Sequence, residues 1–279
     1  MQDVAQLVRA LVCGAGGRGF EPHLPAKSLV EQTRLFCCYN FTMIHFSQIK
    51  SLITIRYQKT TFIVVVLMYV AGIIGLIFPS TQPYFKLASA FNLWVSLILL
   101  LLFHQDYDKP FIVTMIGIFL AGFFVEVVGV YTGMIFGIYW YGQTLGTKIL
   151  GVPIVIGANW LLLVYCSNQL THVLSQFIKR QISEDSIFDY TIVKAIFASF
   201  LMVCLDFLIE PVAIHLDFWH WQFGKIPAQN FQAWFLIAVP LSYIFLKFGF
   251  RKSNPLAVLL FILQFLFFVS INIFNAVFI

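Results

Sequence analysis

Seven apolar runs constrain this chain more than anything else in it. They fall at about 61–78, 85–103, 111–130, 153–171, 191–210, 231–249 and 255–278, divided by Pro, Gly and charged residues. Each is near the ~20 residues that a helix needs to cross the hydrocarbon core of a bilayer. A helix satisfies its own backbone there, where no water can do so. The expected fold is therefore all-α: a polytopic transmembrane helical bundle of about seven spans. Composition closes off a soluble domain, because 60% of the residues are hydrophobic and only 10% charged, against roughly 25% charged in soluble proteins. Such a chain has too little polar surface to face water all round.

Charge sets the expected orientation. With the N-terminus inside, the cytoplasmic segments carry Lys50, Arg56, Lys59, Lys109, Lys179, Arg180, Lys194, Lys247, Arg251 and Lys252, and the outer ones only Lys86, Lys148 and Lys225. The bias is positive-inside and favours N-in, C-out. It also disposes of a nucleic-acid partner: the net charge of +5 is spread over short loops between spans rather than gathered into a patch. The 32 Phe, 11 Tyr and 6 Trp suit helices that face membrane lipid or grip a long apolar ligand, ordinary lipid-facing Phe accounting for most.

Residues 1–42 read differently from the rest. Val4-Ala5-Gln6-Leu7-Val8-Arg9-Ala10 back-translates to GTA GCT CAG TTG GTT AGA GCG, like a transfer-RNA D-arm, and Gly19-Phe20-Glu21-Pro22 to GGG TTC GAA CCC, like a T-arm. We expect a spurious extension over 1–42 and a single membrane domain over 43–279. Gly14-Ala15-Gly16-Gly17-Arg18-Gly19 formally fits G-x-G-x-x-G, but Pro22 and Pro25 follow at once, so no helix is expected there to receive a pyrophosphate. Cys13, Cys37 and Cys38 leave with this segment, and Cys166 and Cys204 sit in apolar runs as small hydrophobes. No disulfide or zinc framework is expected.

After Met43 only three carboxylates fall within spans: Glu126 in the third, Asp206 and Glu210 in the fifth. An acidic group there costs about 2.5–3.5 kcal/mol on insertion scales, which makes each a functional candidate; pairing to a neighbouring helix is the bland alternative. All three belong to outer halves of their spans. The fourth and sixth spans bring Asn159-Trp160 and Asn230 with Trp234 to the same depth, and the two long outer loops between them carry Tyr139-Trp140-Tyr141 and Asp217-Phe218-Trp219-His220-Trp221. Pro153 to Trp160 and Pro227 to Trp234 share one offset, as a duplicated two-helix unit would or as chance allows. Asp206 and Glu210 lie one turn apart, about 6 Å along the axis, so they are expected to share protons. Pro211 is expected to end its helix at the interface. Gly122, Glu126, Gly129 and Gly133 form a 4-3-4 stripe that suits either helix packing or a ligand channel.

In these residues the chain resembles the integral-membrane carotenoid-biosynthesis family that includes the carotenoid hydratases of bacteria and archaea. The matching text is Glu126-Val-Val-Gly129-Val-Tyr131-Thr-Gly133-Met-Ile-Phe-Gly137-Ile-Tyr139-Trp-Tyr141-Gly142, Gly151-Val152-Pro153 through Asn159-Trp160, Asp206-Phe-Leu-Ile-Glu210-Pro211-Val212-Ala213, Trp219-x-Trp221, and Pro227 with Asn230-Phe231-x-x-Trp234. It covers the third to sixth spans and their outer loops. The resemblance implies a multi-pass protein of the prokaryotic cytoplasmic (inner) membrane acting on a carotenoid or other long isoprenoid, with other pathway enzymes as candidate partners. It does not fix the reaction.

Hydration of a terminal alkene of an acyclic carotenoid is the expected chemistry. It needs an acid to protonate carbon, a cradle for the tertiary cation and a base for the incoming water, and no cofactor or metal. Asp206 or Glu210 is expected to be the acid, with the other or Glu126 activating water. Tyr139, Tyr141, Asn159, Trp160, Asp217, Trp219, Trp221, Asn230 and Trp234 are expected to line the substrate site, with rings to stabilise the cation. A non-catalytic carotenoid-binding or scaffold protein stays open, and a transporter is a weaker alternative because the inner halves of the spans carry almost no ionisable groups. The five histidines after Met43 lack the short-spaced pairs of di-iron hydroxylases, His215, Asp217 and His220 read as a solvated loop before a metal site, and Asp106-x-Asp108 alone is too little for a magnesium-dependent prenyltransferase.

Overall fold

The computed structural model describes residues 57–181, 187, 190–250 and 253–278. The expected extension over 1–42, with its glycine and cysteine motifs, and the cations Lys50, Arg56, Arg251 and Lys252 lie outside the described residues. Seven long helices occupy what is described: α1 (Tyr57–Ile77), α2 (Gln82–Leu102), α3 (Lys109–Thr132), α4 (Val155–Gln181), α5 (Thr191–His215), α6 (Ala228–Ile244, prolonged by one π-turn over Phe245–Gly249) and α7 (Pro255–Phe278). Each coincides with one of the apolar runs. Six are long and apolar enough to cross a membrane; α4 is not among them.

The reason lies in where α4 sits. It packs against α2, α3, α5, α6 and α7, and from Val155 to Gln169 every residue but Asn159 is buried. Over that stretch the helix is walled by protein and has no lipid to satisfy, so its polar residues need only local partners, while Val173 and Phe177 further on are exposed. Ser167 and Asn168 donate to the Val164 carbonyl and Thr171 to that of Ser167. The outer helices show the reverse pattern, apolar residues turned outward: Ile63, Leu67 and Ile74 of α1 and Leu87, Phe91 and Ile98 of α2 are exposed.

Helix ends follow local chemistry. Asp108 caps α3, its carboxylate accepting from Phe111 N–H at 2.8 Å, with Pro110 in the first turn. Gly133 closes the same helix at φ 64°, its N–H bonded to the Gly129 carbonyl, the left-handed conformation that glycine adopts without penalty. Pro211 does not end α5 as expected; the helix runs on to His215. A proline removes only its own N–H, and the turn beyond it is held by Leu216 N–H to the Val212 carbonyl and Phe218 N–H to that of Ala213.

The two long loops are not irregular. Tyr139–Tyr141 (β1) pairs antiparallel with Trp219–Trp221 (β4), Tyr139 opposite Trp221 and Tyr141 opposite Trp219, while Lys148–Ile149 (β2) and Val152–Pro153 (β3) make a small hairpin. These strands form a lid over one end of the bundle. Gly142 N–H to Phe218 carbonyl and Gln222 N–H to Ile138 carbonyl extend the ladder at both ends. At the opposite end His104 stacks on Phe111, 3.7 Å between ring centres, and bonds to the Tyr165 hydroxyl at 2.7 Å; Asn254 joins Tyr165 to the Leu100 carbonyl. This second polar network was invisible to a search for charged residues within spans.

Candidate functional site

Strand periodicity builds the site. In an extended strand alternate side chains share a face, so Tyr139 and Tyr141 of β1 and Trp219 and Trp221 of β4 point down into the bundle while Trp140 and His220 face away together, their rings 5.9 Å apart. Beneath the strands α3 and α5 present one glutamate each. Glu126 accepts from Tyr139 Oη at 2.5 Å and Tyr141 Oη at 2.9 Å on one oxygen, and from Trp160 Nε1 at 3.0 Å on the other. Glu210 accepts from Trp219 Nε1 at 3.0 Å and Trp221 Nε1 at 2.7 Å on one oxygen, and from Asn230 Nδ2 at 2.9 Å on the other. The phenols of one strand hold the first carboxyl and the indoles of its partner hold the second. Burial, and then the neighbouring Glu126 carboxyl, push both phenols above the ordinary tyrosine range, so they stay protonated and donate.

Asp206 sits one turn below Glu210. The Asn230 side-chain amide donates to both, reaching Asp206 Oδ2 at 3.1 Å, so one NH₂ group bridges the pair expected to share protons. All three carboxyls are buried, at 1 to 3% exposure. Trp160 and Trp234, the equal-offset residues of the sequence, lie face to face with ring centres 3.9 Å apart and planes within 8°. Together with the β1–β4 pairing, this joins α3–β1–α4 to α5–β4–α6.

Glu126, Glu210, Asn159 and Asn230 line a small pocket walled by Tyr139, Tyr141, Trp219, Trp221 and Trp234. Its volume, about 20 Å³, exceeds the roughly 10–15 Å³ that a single water requires. Asp206 lies behind it. Ile156, Asn159 and Trp219 also line a second, largely apolar cavity of about 170 Å³ between α1, α2, α4 and α7. The apolar space and the water-sized polar pocket therefore share a wall.

The glycine stripe is packing. A Cβ on Gly122 would lie 2.4 Å from Trp160 Cβ and one on Gly129 2.6 Å from the Phe136 ring, so these glycines let Trp160 and Phe136 close on α3. Of the residues expected at the site, Asp217 alone stands apart. It adopts φ 59° in the turn before β4 and accepts from Gln143 N–H at 3.2 Å, Thr144 Oγ1 at 3.3 Å and His220 Nε2 at 2.7 Å, tying the two loops together from outside. The His220 bond holds its carboxyl below the ordinary aspartate range. His215 turns elsewhere, to Gln82. What the sequence reading missed is the strand pairing and the second cavity; the first had a signal, the period-2 patterns Tyr-x-Tyr and Trp-x-Trp.

Apolar helices around a buried carboxylate cluster under an aromatic lid define a multi-pass membrane protein with a site at one end of its bundle. Residues 83–279 match the family described as carotenoid biosynthesis protein, and the chain belongs to that family. Among characterised relatives, bisanhydrobacterioruberin hydratase of Haloarcula japonica is 24% identical over 186 residues, 62% of this chain. The match spans 56% of that relative's length. No solved structure matches.

Proposed function

We propose that this protein hydrates the terminal double bond of an acyclic carotenoid, with Glu126 and Glu210 as the acid–base pair at the outer end of the bundle. The observation that carries the reading is the pocket: two carboxyls facing one water-sized space that shares Ile156, Asn159 and Trp219 with an apolar cavity. The relative named as a hydratase supports the reaction class. One carboxylic acid gives its proton to the terminal alkene carbon, the π pair forming the new C–H bond and leaving a tertiary cation. The pocket water adds through oxygen, and the other carboxylate takes the proton it releases. Tyr139, Trp219, Trp221 and Trp234 surround the cation with ring faces and edges, each face worth about 0.5–2 kcal/mol. Asp206, joined to Glu210 through Asn230, positions it and is placed to return a proton between turnovers. The chemistry as drawn calls on no metal or organic cofactor.

One observation favours a second reading. All three carboxyls are engaged by donors from the lid or a neighbouring helix, as anchors in a carotenoid-binding protein without chemistry would be. Expression of the full chain in a bacterium that accumulates an acyclic carotenoid, with pigments followed by chromatography and mass spectrometry, separates the two. A product heavier by one water, absent with Glu210→Gln and with Glu126→Gln at equal membrane abundance, is the expected result. Unchanged pigment in the cells expressing the wild-type chain would sink the hydratase reading.

A further inference from the structure

Of the three residues that line both cavities, one has hydrogen-bonding capacity to spare. Ile156 and Asn159 of α4 and Trp219 of β4 are the shared ones. Ile156 is apolar, and Trp219 gives its single side-chain N–H to Glu210. The Asn159 carboxamide has no hydrogen-bond partner among the described residues. It is also the one residue from Val155 to Gln169 that keeps some exposure. Ile156, Asn159 and Leu163 lie three and four residues apart on one face of α4, and all line the apolar cavity, so that exposure opens on the cavities and not on lipid.

Addition of water to a cation needs such a group. A water that attacks carbon turns a lone pair towards it, so both of its hydrogens must go to acceptors on the other side. Oε1 of Glu126 already accepts from Trp160 and Oε1 of Glu210 from Asn230. A carboxylate oxygen has a second lone pair, so whichever glutamate is the base has room for one hydrogen of the water. The other glutamate is the acid and holds its own proton. The remaining polar groups around the pocket are engaged as donors: Tyr139 and Tyr141 to Glu126, Trp219 and Trp221 to Glu210, and Asn230 to Asp206 and Glu210. The Trp234 indole can only donate. The Asn159 carbonyl oxygen is open, it is a stronger acceptor than a phenol oxygen whose lone pair is drawn into the ring, and it stands on the wall shared with the apolar cavity.

We propose that Asn159 holds the nucleophilic water, its carbonyl oxygen accepting one hydrogen while the base carboxylate accepts the other, so that the lone pair faces an alkene end arriving from the apolar cavity. This rests on the hydration reading. Asn159 thereby decides the fate of the cation. With a water held there, oxygen adds and the base takes the released proton. Without one, the cation returns a proton from a neighbouring carbon to the carboxylate and an alkene forms again. Protonation of carbon is common to both routes, and Glu126 and Glu210 supply it without Asn159.

The test uses the full chain in lipid nanodiscs loaded with an acyclic carotenoid, in heavy water, with two products followed at early times by mass spectrometry: the hydrated carotenoid, and alkene that has taken up one deuterium on carbon. Hydration is expected to dominate in the wild-type chain. Asn159→Leu is expected to lower the ratio of hydration to deuterium uptake about ten-fold, the worth of one hydrogen bond, while deuterium uptake persists. The ratio does not depend on how much protein folds, because both products come from the same folded fraction. Asn159→Asp restores an oxygen at that place and is expected to recover the ratio to within about three-fold of wild type. An unchanged ratio in Asn159→Leu, an equal fall in Asn159→Asp, or loss of both products in Asn159→Leu would overturn the assignment and leave the residue as packing, with the hydration reading intact. A wild-type chain that gives neither product would overturn that reading itself.

Discussion

Close contacts at single residues decide whether α3 and α4 can meet. Gly122 admits Trp160, whose indole then reaches Glu126 and stacks on Trp234. Gly122→Ala would put a methyl 2.4 Å from Trp160 Cβ and is expected to cost about 1–3 kcal/mol by overpacking, read as a lower melting temperature in detergent. Gly117→Ala is the control, since nothing lies within 4 Å of its added methyl. The donors to the carboxyls carry a second prediction. Tyr139→Phe and Tyr141→Phe each remove one hydrogen bond from Glu126 and keep the ring, and each is expected to slow the proposed hydration about ten-fold at unchanged membrane abundance. The three carboxylates were legible as site candidates because an acid in an apolar run is costly wherever it lies. The His104–Tyr165–Asn254 network at the other end was not, because uncharged polar residues in a span are ordinary.

At the scale of elements, the lid is what turns four scattered aromatic residues into walls. Its weak point is Gly142, where a Cβ would fall 2.1 Å from the Asp217 carbonyl oxygen, a backbone atom that cannot swing aside. Gly142→Ala is expected to part β1 from β4, raising amide exchange at Tyr139–Tyr141 and Trp219–Trp221 while the helices stay protected. Asp217 gives the lid its pH dependence. Its carboxyl titrates lower in the folded protein than in the unfolded chain, so the stability it adds is fully present above the unfolded value of about 3.9 and is lost as pH falls through the lower folded value. Protection of the lid amides, measured relative to intrinsic exchange at each pH, is therefore expected to stay flat from neutrality to about pH 4, and Asp217→Asn to lower it throughout. The helices themselves were readable from apolar runs; their extension past Pro211 was not, because the tie that carries α5 onward comes from Phe218, in a loop whose path no local pattern specifies. Asp217 was assigned to the substrate for the same reason: proximity in sequence to Trp219 and Trp221 does not say that its side chain points to the other side of the turn.

Across the described residues, α3–β1–α4 and α5–β4–α6 meet at the Trp160–Trp234 stack and the β1–β4 ladder, with one glutamate under each strand. The sequence carried the echo as an equal offset from Pro to Trp, and only the stacked rings give it a meaning in space. The same architecture puts α4 at the centre, with a surface suited to protein neighbours and poor for lipid. That has a consequence for how the protein is made. A segment too polar to partition into the bilayer alone cannot leave the insertion machinery as an independent span, so it must be retained until companions synthesised on either side are ready to enclose it. A glycosylation-tagged reporter carrying α4 alone is expected to be passed through or left unintegrated, and one carrying α3 to α5 to integrate it. Substitutions on α4 that leave the finished bundle undisturbed can still lower the yield of protein, by failing during this wait.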